Sequence, residues 1–267
     1  MSDAGDTTRV DWSSDRVLRE SARWRSSWHP PGSRYVVVDG FEFYEQDGAA
    51  TLLNYLGPAA DPLAVIRRAL VIAEGRGAHT ALVTIGPGPL AGVDALDLVA
   101  LHAETEAVID VVATEISWPF ATRISVPPEV RAHKAIDEAG IAEFDRISRL
   151  AWGFAPPVLQ DPESAKDDDE APGLFVATSS GAPAGAGGYS LVGEVARMWG
   201  AAVLPEFRGR GVYRGLITAR LRDAAERGAT LALVHAEQTS SPILQDLGFA
   251  KVGERRRVRI ATGQAGR

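Results

Sequence analysis

One stretch of this chain, residues 195–228, constrains the fold more than any other. An apolar run, Val195–Val203, predicts a buried strand, and Pro205 ends its ladder because proline cannot donate a hydrogen bond to a sheet. A basic, glycine-containing turn follows at 208–211. Residues 212–227 then carry an apolar stripe at helical spacing. The stretch therefore predicts a strand, a basic turn and a helix in direct succession.

The turn at 208–211 has the features that a diphosphate group requires. The first N–H groups of a helix have no partner within the helix, and the helix dipole adds partial positive charge there. Gly209 and Gly211 let the backbone approach a ligand without an intervening Cβ, and the arginines beside them add mobile positive charge. A plain strand–helix connector is the alternative, but the flanking elements favour an anion site.

Composition limits the class of protein. The 267 residues are enough for one large domain or two modest ones, and a net charge of −7 disfavours general nucleic-acid binding. The chain has no cysteine, which excludes disulfides, thiolate metal sites and a covalent thiol mechanism. No signal peptide or apolar run long enough for a membrane helix is recognisable. We therefore expect a cytoplasmic protein that does not bind membranes.

Residues 13–28 place Val17, Ser21, Trp24 and Trp28 at helical spacing with arginines between them. This pattern favours an amphipathic helix that packs its tryptophans on the body of the protein. A surface for a partner or a nucleic acid is the alternative, and the acidic composition weakens it.

The rest of the chain alternates predicted strands and helices, which is typical of α/β architecture. In the first half we predict strands at 34–38, 40–44, 80–85 and 107–114 and helices at 61–76 and 92–104. After a proline-rich linker at 126–128 we predict strands at 130–136, 173–178, 184–191, 195–203, 230–235 and 250–260, and helices at 141–152, 212–227 and 241–247. The prediction is two modules, 1–126 and 127–267. We also expect a loose N-terminus over the first ten residues, and an acidic run at 167–170 that is a solvated loop or a site for a basic substrate.

The segment Val203-Leu204-Pro205-Glu206-Phe207-Arg208-Gly209-Arg210-Gly211 resembles the coenzyme A motif of the GNAT superfamily of N-acetyltransferases. Leu247-Gly248-Phe249 resembles the second cofactor segment of that family, and the resemblance covers roughly residues 128–260. It implies an α/β (α+β) fold with a GNAT-like mixed sheet flanked by helices, preceded by a degenerate GNAT-like N-terminal α/β module. That first module lacks the phosphate turn, so we do not expect it to bind coenzyme A.

The resemblance also implies a binding mode for acetyl-CoA. The strand ending at Val203 would separate from its neighbour and hydrogen-bond the pantetheine arm, and an amine would attack the thioester directly. The implied cofactor-binding residues are Ala201, Val203, Arg208, Gly209, Arg210, Gly211, Val212, Tyr213 and Arg214. Tyr213 replaces the last small residue of the family motif, so its phenol either packs under the helix or contacts the cofactor.

Two further departures concern the proton-transfer groups. Leu244 stands where many family members have a tyrosine acid, and Gly200 stands where many have a glutamate base. The nearest ionisable candidates are His235, Glu237 and Glu194. His235 has an intrinsic pKa suited to a base at neutral pH, and Glu237 could relay a proton through water. A partly exposed strand-end residue is the alternative for each.

Other constellations are missing from the sequence. It contains no dinucleotide-binding fingerprint, Walker lysine loop or nucleophile elbow, and its histidines lack metal-ligand spacing. The resemblance implies transfer of an acetyl group from acetyl-CoA to an amine of a small molecule or a protein. The alternative is a non-catalytic acyl-CoA-binding regulatory module. The N-terminal half would shape the acceptor cleft or form a homodimer contact.

Overall fold

The computed structural model describes residues 11–26, 28–116, 124–153 and 172–264. The predicted loose N-terminus and the acidic run at 167–170 lie outside these residues. The helices are α1 (Ser14–Arg23), α2 (Pro62–Gly75), α3 (Ala95–Ala100), α4 (Glu138–Trp152), α5 (Val212–Glu226) and α6 (Ser241–Asp246). The strands are β1 (Arg34–Val38), β2 (Phe41–Gln46), β3 (Ala49–Tyr55), β4 (Thr80–Ile85), β5 (Glu104–Glu115), β6 (Val130–Lys134), β7 (Gly173–Ser179), β8 (Ala182–Val192), β9 (Val195–Val203), β10 (Leu231–Glu237) and β11 (Ala250–Ala261). In this part of the chain no helix is long and apolar enough to cross a membrane.

All the strands form one mixed sheet in the order β1-β2-β3-β4-β11-β5-β10-β9-β8-β7-β6. Two neighbouring pairs are parallel, β3 with β4 and β9 with β10, and the other pairs are antiparallel. A parallel pair needs a crossover connection, and α2 and α5 provide the two crossovers.

The two halves repeat the same order of elements, and the last strand of each half pairs with strands of the other half. Three strands, a helix, a strand, a short helix and a final strand occur in β1 to β5 and again in β7 to β11. The final strands β5 and β11 are both 12 residues long and pair with each other at the centre of the sheet. Strand β5 also pairs with β10, and β11 with β4. The boundary at 126/127 stays a prediction, because the sheet runs continuously through both halves.

Helices cover the two faces of the sheet near β9 and β10. Ala232 and Val234 of β10 pack in one core cluster with Leu216 and Ile217 of α5. Leu233, on the opposite face of the strand, packs with α1. Val195 of β9 packs with α1, and Trp199 of the same strand packs with α4. Side chains four residues apart on a strand point to the same face, so α4 and α1 lie on the same side of β9.

Some predicted elements differ in the structure. Strand β3 (Ala49–Tyr55) was not predicted, since alanine and asparagine have low strand propensity. Helix α1 ends at Arg23, so the packing predicted for Trp24 is achieved by a residue just beyond the helix. Helix α3 spans only Ala95–Ala100, where a capping box begins it and β5 follows closely.

Candidate functional site

Strands β9 and β10 separate part-way along their length. They pair in parallel from Val195 and Leu231 to Met198 and Val234, and no pairing between them is found in the described chain beyond that point. Residues 199–203 continue along β8, while β10 continues along β5 to Glu237. A cleft of about 1300 Å³ opens where the strands part. The separation predicted from the sequence is therefore present.

A β-bulge bends β9 at the start of this separation. The register with β8 shifts between the pairs Ala186/Ala202 and Gly188/Trp199, so β9 has one extra residue there. Gly200, inside the bulge, has a φ of 65°, which favours glycine. The Cη2 atom of Trp152 lies 3.4 Å from the position of a Cβ on Gly200. A glutamate at this position would therefore be strained by its backbone and crowded by the indole.

Arg220 of α5 holds the bulge in place by hydrogen bonds from the face of the sheet on which α5 packs. It is only 1% exposed, and its Nη1 donates to the carbonyl oxygens of Gly188 at 3.1 Å and Trp199 at 3.3 Å. Its Nε donates to the carbonyl of Leu216 at 3.1 Å. Burial lowers the pKa of Arg220 to about 10, so the guanidinium remains charged at neutral pH. The side chain thus ties the bent part of β9 to the helix that carries the basic turn.

The basic turn opens α5 beside the bent strand. A short 3₁₀ turn, Pro205–Phe207, leads into Gly209 with φ 73° and Gly211 with φ 78°. Gly211 is the N-cap residue, and as a glycine it has no side chain that could cap the helix. The helix N-terminus therefore presents donors with no intrahelical partner. A Cβ on Gly209 would meet no described atom within 4 Å, whereas on Gly211 it would lie 2.6 Å from Cδ of Pro127.

The structure brings the predicted site residues together. All of the predicted cofactor-binding residues line the cleft, namely Ala201, Val203, Arg208, Gly209, Arg210, Gly211, Val212, Tyr213 and Arg214. The guanidinium of Arg210 lies 5.6 Å from the ring centre of Phe207. Tyr213 both lines the cleft and packs partly against the core under α5. Burial raises the pKa of Tyr213, so its phenol stays protonated at neutral pH.

His235 and Glu237 also line the cleft, but their surroundings differ. The Nε2 atom of His235 lies 2.8 Å from Oγ of Ser21, and Nη1 of Arg255 lies 3.2 Å from Nδ1. The same Nη1 lies 3.4 Å from Nε2, so in either tautomer the ring's lone pair faces a donor, the Arg255 guanidinium or the Ser21 hydroxyl. Burial and the charges of Arg255 and Arg197 hold the pKa of His235 well below its usual 6.5. The imidazole is therefore neutral and its lone pair is engaged, whereas Glu237 is exposed.

The departures from the family motif remain in the structure. Leu244 is completely buried in the core cluster that includes α5, so it offers no group to a departing thiolate. Glu194, on the turn between β8 and β9, does not line the cleft. Its Oε2 lies 3.9 Å from Nη2 of Arg16.

Several cleft residues were not predicted from the sequence. They include Trp28, Trp152, Arg220 and Ile243. The position of Arg220 within the apolar stripe of α5 was a usable signal, since an arginine on a buried helix face needs buried partners. The tryptophans gave no such signal, because their place in the cleft depends on tertiary packing.

In the N-terminal half, the turn between β3 and α2 occupies the position of the basic turn but ends in an acidic residue, Asp61. Strands β3 and β4 are parallel over three residue pairs, and α2 begins with Asp61 as its N-cap. The Asp61 carboxylate accepts a hydrogen bond from the N–H of Ala64 at 2.8 Å. A carboxylate of the chain itself therefore occupies the position in which an anionic ligand would bind at this helix N-terminus.

In this chain two separated parallel strands lie beside a basic glycine turn at the start of the crossover helix α5. Residues 142–249 match the model of the acetyltransferase (GNAT) family, less than half of the chain. The resemblance predicted for the C-terminal half is thereby confirmed, and acetyl-CoA is the general acyl donor of that family. No curated protein shows significant sequence similarity to the chain.

Solved structures with the same fold extend over the N-terminal half. A GCN5-related N-acetyltransferase from Kribbella flavida has 17% identity and a TM-score of 0.58, covering 92% of this chain and 95% of that one. A tandem GNAT protein from the clavulanic acid biosynthesis pathway has 18% identity and a TM-score of 0.60, covering 88% and 85%. A GCN5-related N-acetyltransferase from Sphaerobacter thermophilus has 15% identity and a TM-score of 0.64, covering 83% and 76%. The predicted fold, including a GNAT-like N-terminal module, is confirmed.

Proposed function

We propose that the C-terminal half transfers an acetyl group from acetyl-CoA to an amine. One observation supports this most strongly: β9 and β10 part beside the turn that opens α5, so that both line a single cleft. The bent segment of β9 offers free backbone groups to a pantetheine arm. The turn offers unpaired N–H groups, glycines and arginines to a pyrophosphate. Gly209 fits this use, because no described atom fills the space beside its Cα.

The residues of the cleft supply binding and orientation. A backbone N–H of the bent β9 segment polarises the thioester carbonyl, and the bulge fixed by Arg220 sets its direction. The amine nitrogen bonds to the acyl carbon as the carbon–sulfur bond breaks. The proton lost by nitrogen passes to Glu237 through water, and the thiolate leaves and takes a proton from solvent. No covalent intermediate with the protein is required.

Glu237 is the base in this proposal because its carboxylate is exposed to the cleft. The ring nitrogens of His235 face Ser21 and Arg255, so in either tautomer it has no free lone pair for an incoming amine. A positioned base contributes about 10²- to 10⁴-fold to a rate.

A second candidate function is a non-catalytic acyl-CoA-binding regulatory module. Leu244 is buried and Gly200 has no side chain, so neither position supplies a proton-transfer group, which favours this function. The two functions share the cofactor cradle and differ in turnover.

Calorimetric titration of acetyl-CoA followed by a free-thiol release assay against a panel of amines separates them. The proposal expects binding and amine-dependent thiol release. Glu237→Gln should lower the release rate at least tenfold without weakening acetyl-CoA binding. Glu206→Gln removes an exposed carboxylate near the turn but outside the cleft lining and should have no such effect. Binding without turnover on any amine supports the regulatory module, and absence of binding contradicts both functions.

A further inference from the structure

Three tryptophans from separate segments line the cleft. Trp28 follows α1, Trp152 ends α4 and Trp199 lies on β9. All three are partly exposed. These three partly exposed indoles, called the tryptophan wall below, give the cleft an apolar lining that the binding of coenzyme A phosphates does not require.

The structure holds these rings in place. Trp199 meets Phe144 edge to face at 6.4 Å, and its Nε1 donates to Oγ of Ser190 at 3.0 Å. The ring of Trp152 lies against Gly200. The segment that carries Trp28 is anchored by Trp24, whose ring stacks on His235 at 4.4 Å. Trp199 and Trp152 are therefore preorganised, and a ligand that uses them loses less conformational entropy on binding.

The wall lies on the acceptor side of the cleft. Trp199 packs on the α4 face of the sheet, whereas Val212, which follows the basic turn, packs in the core on the α5 face. A thioester that reaches between the strands from the turn would be attacked from the other face. The amine would therefore meet the indoles before it meets the acyl carbon.

Glu237 provides an exposed carboxylate on this side of the cleft, whereas the charges of Arg255 and Arg197 act on the neighbouring His235. Glu237 follows Leu233 and His235 at alternate positions on β10, so its carboxylate projects on the same face as α1 and the tryptophan wall. Indole faces attract ammonium groups and pack well against rings and alkyl chains. The wall offers few partners to the hydroxyl groups of a sugar or the several charges of a polyamine.

We propose that the acceptor is a primary amine attached to an aromatic or bulky apolar group, bound between the tryptophan wall and Glu237. This inference rests on the proposed function, since it names the substrate class of the same site. It excludes aminosugars and linear polyamines as preferred acceptors.

The test compares 2-phenylethylamine, glucosamine and spermidine as acceptors with acetyl-CoA at saturation. We expect kcat/KM for 2-phenylethylamine to exceed the other two at least tenfold. Trp152→Ala should raise the KM for 2-phenylethylamine roughly 3- to 10-fold with acetyl-CoA affinity unchanged, and Trp152→Phe should retain most of the affinity. Trp12→Phe is the control, because Trp12 donates to Thr230 at 3.0 Å and does not line the cleft.

A preference for spermidine or glucosamine, or an equal effect of Trp152→Ala on all three amines, would overturn the inference. Calorimetric titration of each amine into the complex with coenzyme A decides the same question without turnover. Failure of acetyl-CoA to bind would contradict the proposed function alone. The amine titrations of the free protein would then support the inference if only 2-phenylethylamine binds, and oppose it otherwise.

Discussion

Gly209→Ala is the substitution that most directly tests the phosphate turn. Gly209 has a φ of 73°, and a Cβ added there would meet no described atom within 4 Å. The left-handed conformation costs an alanine about 1–2 kcal/mol, and the less flexible unfolded chain offsets about 0.4–1 kcal/mol of this. We therefore expect a loss of about 1 kcal/mol in the free energy of unfolding and a fall of roughly 2–4 °C in Tm.

The effect on acetyl-CoA binding should be much larger. A methyl group in the concave turn moves the pyrophosphate away from the backbone donors, and a hydrogen bond to a charged group contributes about 1.5–3 kcal/mol. Loss of one such bond raises Kd roughly 10- to 150-fold. Calorimetric titration of acetyl-CoA measures this change, and thermal unfolding measures the cost to stability.

Gly228→Ala is the matched control. Gly228 has a φ of 89°, has no described atom within 4 Å of a Cβ, and follows the other end of α5, about 22 Å away along the helix. It should lose the same stability and keep the affinity of the wild type. Equal affinities in Gly209→Ala and the wild type, or equal losses in both variants, would refute the assignment of the turn as the phosphate site.

Three further substitutions test the surroundings of the cleft. Leu244→Tyr places a larger polar side chain at a completely buried position, so chemical denaturation should show a loss of about 1–3 kcal/mol and thiol release should not increase. The free energy of unfolding of the wild type should fall by about 1.4 kcal/mol per pH unit below pH 6.5 through His235. Its pKa is depressed in the folded protein, so on acidification the unfolded chain binds a proton at this residue before the folded protein does. His235→Gln should lose this part of the slope in urea unfolding measured at pH 7.5 to 5. Arg220→Ala removes the buried hydrogen bonds to the carbonyls of Gly188 and Trp199 and should cost about 3 kcal/mol or more in the same assay, and a loss below 1 kcal/mol would contradict its role at the bulge.

The basic turn that opens α5 could be predicted from the sequence because the residues that form it are local. The proline, the glycines and the apolar stripe of α5 lie within a single continuous segment, and each acts through the backbone of its own residue or its neighbours. The predicted contacts from Ala201 to Arg214 accordingly all line the cleft. The surroundings of His235, by contrast, could not be predicted from its intrinsic pKa, because Ser21 and Arg255, which contact its ring, come from distant segments.

The tryptophan wall and the exchange of strands β5 and β11 could not be predicted for the same reason. Strand patterns show which residues are buried, but not which strand they pair with. The last strand, predicted at 250–260, lies at the centre of the sheet, where Arg257 and Arg259 face Glu106.

The exchange of strands explains why the C-terminal half needs the N-terminal half for its cleft. Beyond Val234, β10 has left β9, and β5 is its one remaining strand partner in the described chain. The pairs from His235 with Val111 to Glu237 with Ile109 hold that free end straight. Without β5 the end of β10 would have unpaired backbone on both edges and would lose its fixed distance from β9. The N-terminal half therefore contributes no phosphate turn of its own but supplies the strand that keeps the cleft open and Glu237 in position.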